Sequence, residues 1–254
     1  MGFFSNSRNT CPVCNKPIPR RMTVRTGNVP VCMECAGKAD LPDGMMKQMS
    51  LEDLRQYMDF YQKNQILRDA FAETYRFHFG LSERVLLLDT ANRLFRLKDR
   101  EDALVMEASD LKSFCIMEDN IPLFEGKNGI LKCCRSDIPA RVSAMAPQIA
   151  QFLMQRQMFG QMEKTARSFE MAAPFRYFYV ELTLTHPYWG GFRERLEAPV
   201  FCPDDPSIDA YLCDYQEEVD RLHILAANLI WLMDPNAREF RAADNASTDV
   251  KLSI

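Results

Sequence analysis

The sequence predicts an α+β fold, and three observations predict it. Two Cys-x-x-Cys pairs, Cys11/Cys14 and Cys32/Cys35, bracket a short hairpin pattern. From residue 83 to residue 131, short apolar segments alternate with polar turns, as in an antiparallel meander. From Pro206 to Met233, apolar residues recur at helical spacing. The 254 residues suit one large domain or two modest ones, and 47% hydrophobic with 26% charged residues is an ordinary globular composition.

Taken in order, Met22–Thr26 and Val29–Val31 read as two strands around Gly27-Asn28. With the cysteine pairs they make residues 1–41 a ribbon. Leu41-Pro-Asp-Gly44 is a turn. Ser50 with Asp53 fits a capping box, and Leu51, Leu54, Met58, Tyr61, Leu67 and Phe71 continue a helical period, so a connecting helix is expected within 42–80. An antiparallel sheet domain is expected over 81–234. Its strands fall at Val85–Asp89, Leu94–Leu97, Ala103–Met106 and Phe114–Met117, and Asn128-Gly129 marks a hairpin. A Gln/Met-rich helical insertion is expected at 139–171, introduced by Pro139. Phe175–Thr185 and Phe192–Phe201 are strands joined by His186-Pro-Tyr-Trp-Gly-Gly191. The C-terminal helix starts after Pro206-Ser207. Its apolar stripe takes Ile208, Tyr211, Leu212, Tyr215, Val219, Leu222, Ala226, Leu229, Ile230 and Met233, and it should cover the sheet. The polar residues 235–254 are expected to be a flexible tail.

The two cysteine pairs are separated by 17 residues, inside the range that reads as a zinc site. Each Cys-x-x-Cys folds as a knuckle that aims both sulfurs at one ion. Four thiolates close a tetrahedral shell and leave no position for water, so Cys11, Cys14, Cys32 and Cys35 are expected to hold one structural Zn²⁺. A segment of this size cannot bury enough core to fold without such a centre, so the ribbon and the sheet domain should have separate sources of stability. Lys16, Arg20, Arg21, Arg25 and Lys38 are placed to offset the negative charge of the centre.

The order Cys11-Pro-x-Cys14, basic hairpin, Val31-Cys32-x-x-Cys35-x-x-Lys38, then Phe71-Ala-Glu-Thr74, Leu88-Asp89 and Leu94-Phe95 resembles a family of bacterial proteins of unknown function. Its members begin with a four-cysteine zinc ribbon and continue into a helix and a β-rich region. The resemblance covers residues 9–125, and its specific part is the cysteine pattern. It implies zinc at the same four cysteines and no known activity. The Gln/Met-rich segment departs from it. By element order alone, strands closed by a long C-terminal helix are also similar to a pleckstrin-homology-like barrel.

Nine cysteines, an odd number, with no apolar leader at the start argue for a reducing cytoplasm rather than a disulfide framework. Gly2 invites N-myristoylation, but Asn6 stands where that pattern wants Ser or Thr. No run of about 18 apolar residues is present to span a membrane. Arg8, Lys16, Arg20, Arg21, Arg25 and Lys38 against Glu34 and Asp40 make residues 1–41 basic, whereas the whole chain carries −4. An acidic body repels a phosphate backbone.

His78, His186 and His223 lie in three separate elements, no nucleophile elbow is present, and Gly-rich phosphate-binding loops are absent, so no enzyme is expected. Cys133 and Cys134 with Cys115, Cys202 and Cys213 match no metal-knuckle spacing and read as small apolar residues. Protein docking is expected through Met154, Met158 and Met162 of the insertion and through Tyr188 and Trp189 at a hairpin tip. The alternatives are a helix that covers the sheet and a tip folded back on it. The leading expectation is a non-enzymatic, zinc-stabilised interaction or adaptor protein. The runner-up is a nucleic-acid-binding regulator that uses Arg20, Arg21 and Arg25.

Overall fold

In a computed structural model, which describes residues 10–18, 24–80, 84–159, 173–241 and 248–251, the valine-rich segments β1 (Val24–Thr26) and β2 (Val29–Val31) pair antiparallel. Gly27 turns the chain between them at φ +52°, a conformation that costs glycine little. Thr26 Oγ1 donates to the Met49 carbonyl at 3.0 Å and so ties the hairpin to the chain that follows.

That chain supplies four helices, α1 (Met33–Lys38), α2 (Met45–Gln48), α3 (Leu51–Lys63) and α4 (Gln65–Ala70). The capping box of α3 forms as its sequence requires: Asp53 N–H donates to Ser50 Oγ at 3.1 Å, and Ser50 N–H to Asp53 Oδ2 at 2.9 Å. Leu54, Tyr57, Met58 and Tyr61 are its buried face. The helical period of the sequence carries on to Phe71, but α3 ends at Lys63 and the chain is extended from Tyr75. The break has a tertiary cause. Buried Asn64 donates from Nδ2 to the Val105 carbonyl at 2.7 Å and accepts from Val105 N–H at 3.1 Å. This two-bond exchange fixes the joint between α3 and α4, so the helical period persists to Ala70 with a break at Asn64.

The strands β3 (Tyr75–His78), β4 (Arg84–Asp89), β5 (Leu94–Lys98) and β6 (Met106–Glu107) make an antiparallel four-stranded sheet in that order. A second sheet holds β7 (Leu111–Glu118), β8 (Ile121–Lys127) and β9 (Ile130–Cys133). The β8–β9 turn, Asn128-Gly129, has both residues at positive φ, +52° and +73°, as a two-residue hairpin demands. After α5 (Ile138–Ser143) and α6 (Ala146–Phe159), the second sheet gains β10 (Tyr177–His186) and β11 (Trp189–Glu197). Then α7 (Ile208–Met233) packs on β7, β8 and β9. Its Ser207 cap accepts from Ala210 N–H at 3.3 Å.

Residues expected to be tail instead form β12 (Arg238–Arg241), parallel to β9, with β13 (Thr248–Lys251) beyond it. The reason is local. Asp234 closes α7 directly over Gly129, where a Cβ would lie 2.5 Å from Asp234 Oδ2, and Arg238 N–H then donates to the Gly129 carbonyl at 2.9 Å. The full order of this sheet is β11-β10-β7-β8-β9-β12-β13.

The chain separates into two units. The first contains Met1–His78, Glu83–Asp110 and Thr185–Gly190; the second contains Phe79–Ser82, Leu111–Leu184 and Gly191–Ile254. This division differs from the boundaries expected at 41 and 80: the ribbon shares a unit with α3 and with the four-stranded sheet. Among the described residues, no helix is long and apolar enough to cross a membrane.

Candidate metal centre

The first knuckle is built by a reverse turn after Cys11. Asn15 N–H donates to the Cys11 carbonyl at 2.7 Å and Cys11 N–H to the Lys16 carbonyl at 2.8 Å, with Asn15 itself left-handed at φ +59°. The second knuckle uses a helix start. Cys32 is the N-cap of α1, and its Sγ accepts from Cys35 N–H at 3.4 Å, so one sulfur serves as cap and as prospective ligand. Strands β1 and β2 return the chain so that both knuckles meet.

The four Sγ atoms all lie within 4.8 Å of one another, with Cys14 and Cys32 3.5 Å apart. Tetrahedral coordination at a Zn–S length near 2.3 Å places sulfurs about 3.8 Å apart, so the donor set fits such an ion without rearrangement of the fold. Cys11, Cys32 and Cys35 are buried and Cys14 is half-buried. Burial raises the Cys11 thiol, but backbone N–H groups of Cys32, Cys14 and Val13 outweigh it and set the group at about 7. Burial and the sulfurs of Cys14, Cys32 and Cys11 push Cys35 up. Thiols this close oppose one another's ionisation, and a bound cation removes that opposition.

No family model, curated protein or solved structure matches the chain. The assignment of this centre therefore rests on its own geometry. The basic residues expected around it divide. Lys16 ion-pairs with Glu34, and Lys38 reaches Glu34 at 3.4 Å, so both engage a carboxylate beside the cluster. Arg25 is exposed on β1. Arg20 and Arg21 lie outside the described residues.

The docking residues divide too. Trp189 is only 8% exposed, and its indole N–H donates to the Asp40 carbonyl at 3.1 Å. Tyr188 packs edge-on to Tyr57 at 4.9 Å and against Phe60 at 5.2 Å. The expectation of an open aromatic tip is corrected: Tyr188 packs on the aromatic face of α3 and Trp189 is buried at Asp40 and Lys98. His186 is buried there with Nδ1 accepting from Tyr188 N–H at 3.2 Å, and burial lowers its pKa. On α6, Met154 and Met158 are 64% and 73% exposed, whereas Ile149 is buried. Met162 lies outside the described residues.

Among the described residues, a second group of metal-ligand type joins Cys133 to His223 and Glu239. It takes no other cysteine: Cys202 and Cys213 are exposed, and Cys134 instead turns to Glu125 at 3.9 Å. The sequence separations of 90 and 106 residues carry no local signal, so only the meeting of β9, α7 and β12 exposes the group.

Proposed function

We propose that the chain is a non-enzymatic interaction or adaptor protein whose N-terminal ribbon is folded around one structural Zn²⁺ at Cys11, Cys14, Cys32 and Cys35. The observation that carries the reading is the convergence of four sulfurs within 4.8 Å on two knuckles. Soft thiolates favour zinc over hard cations, and a shell of four protein sulfurs has no vacancy for substrate or water. A centre of that kind stabilises and presents a surface rather than catalyses. The resemblance of the cysteine order to bacterial ribbon-bearing proteins supports the same reading, with a cytoplasmic setting in which the thiolates stay reduced. Met154 and Met158, exposed and adaptable side chains on α6, supply the surface most suited to protein contact.

Elemental analysis of the untagged protein tests the centre. Cys32→Ser with Cys35→Ser should remove one zinc per chain, and an unchanged zinc content would overturn the assignment. DNA and RNA titrations at several salt concentrations test the partner class. Protein contact predicts no binding that depends steeply on salt, whereas a steep loss of affinity with salt, abolished by Arg25→Glu, would favour the nucleic-acid reading.

A further inference from the structure

Glu239 is a carboxylate on a β-strand yet is only 3% exposed, beneath α7. A buried carboxylate is retained where partners or a cation compensate it. Two side chains from other elements converge on it. Cys133 of β9 donates from Sγ to Glu239 Oε1 at 3.5 Å, and His223 of α7 lies with Nε2 3.2 Å from Glu239 Oε2. The parallel register explains the first meeting: Glu239 lies opposite Leu131, two residues before Cys133, so Glu239 and Cys133 share a sheet face. That face is the one that α7 covers, and Phe124, the partner of Cys133 on β8, packs its ring 5.3 Å from the His223 imidazole.

We propose that Cys133, His223 and Glu239 form a second divalent-metal site, of the class that takes Zn²⁺ or Co²⁺. The three donor atoms lie within 4.8 Å of one another. Metal–ligand lengths of about 2.0–2.3 Å in a tetrahedron require donor separations of about 3.4–3.6 Å; the contacts of 3.5 and 3.2 Å run to the two different oxygens of Glu239, so its carboxylate turns slightly to present one oxygen to both partners. An ion pair between His223 and Glu239 would need two groups; the thiol makes a third donor from a third element. Imidazole, thiolate and carboxylate together suit a borderline ion such as zinc and disfavour calcium or magnesium, which want oxygen alone. Binding releases the Cys133 proton to solvent, and the thiolate and carboxylate then neutralise the 2+ charge. Three protein donors leave the fourth tetrahedral position to water, unlike the closed shell of the ribbon.

The test counts metal. Untagged full-length protein is loaded with Zn²⁺, desalted, and titrated with Co²⁺. Total bound metal, Zn²⁺ plus Co²⁺, should reach two per chain, and one per chain in both Cys133→Ser and His223→Gln. Saturation of the unaltered protein at one ion that persists in both variants would overturn the proposal, as would two per chain persisting in both variants. The count in the unaltered protein requires no variant to fold. Cys32→Ser with Cys35→Ser reports separately on the ribbon: retention of one ion there, lost on adding His223→Gln, supports the second site whatever the ribbon binds.

Discussion

The phenolic oxygen of Tyr57 accepts a hydrogen bond from the backbone N–H of Asp40 at 2.9 Å, and Tyr57 is fully buried. The same oxygen lies 3.2 Å from the Lys38 carbonyl, one residue past Gly37, whose carbonyl accepts from Arg100 at 3.0 Å. Asp40 in turn accepts from Leu104 N–H at 2.9 Å and ion-pairs with Lys98 at 2.5 Å. The chain that leaves the second knuckle is thereby fastened to α3 and to the region of β5. Tyr57→Phe would remove the hydroxyl's bonds while Asp40 N–H keeps the Lys38 carbonyl at 3.0 Å, so it should cost about 0.5–1.5 kcal/mol in denaturant melts.

Metal removal should act beyond the ribbon. The fastening at Asp40, and the bond from Arg55 to the Pro12 carbonyl at 3.1 Å, join residues 10–41 to the rest of their unit. Hydrogen exchange after chelation should show lost protection in α1, in α3 and in the strands β4 and β5. Loss confined to residues 10–41 would restore the picture of an independently folded ribbon.

Helix α7 should be the main apolar cover of the second sheet. Leu222 and Leu229 are fully buried, so truncation of either to Ala should cost about 2–5 kcal/mol. Glu217 and Asp220 are exposed on the same helix, and Ala at either should change stability by about 0.5 kcal/mol or less. Equal effects in chemical melts would mean that α7 does not anchor the sheet.

Glu118 predicts a pH dependence. Burial raises its pKa, although Tyr215 and Ser136 both donate to the carboxylate and oppose the rise. In the window between the ordinary value of about 4.3 and the raised one, the folded chain binds more protons than the unfolded chain. This group's contribution is therefore complete below that window and is lost as pH rises through it. Glu118→Gln should remove that loss, so its stability relative to the unaltered protein should improve from pH 4 toward pH 7. A difference between the two that is independent of pH would contradict the assignment.

Local signals in the sequence were legible where the structure closes them locally. Ser50 caps through Asp53 three residues away, Ser207 through Ala210, and Asn128-Gly129 sets its own turn. The cysteine spacing likewise marked a centre whose members are brought together by one hairpin. The rest depends on distant partners. Nothing near Asn64 announces Val105, so the end of α3 could not be read from its apolar period. The apolar period of α7 likewise understates its buried surface: Leu225 and Leu232 are buried beside Leu222 and Leu229, because α5 as well as the sheet packs on the helix. Trp189 looked like a surface anchor because a hairpin tip is usually wet, and its partner Asp40 is 149 residues away in sequence. Glu239 was illegible for the same reason: its burial depends on β12 lying beside β9.

That parallel pairing has a consequence for solubility. Without β12, the strand β9 would end the sheet with a row of unsatisfied N–H and C=O groups, a template for pairing with other chains. The segment after α7 acts as a selvedge that keeps this margin from unravelling into intermolecular β-structure. A chain cut after Asp234 should therefore form fibrils or soluble oligomers by light scattering, even where α7 and its contacts survive. A synthetic peptide of residues 235–251 supplied in trans should suppress that assembly.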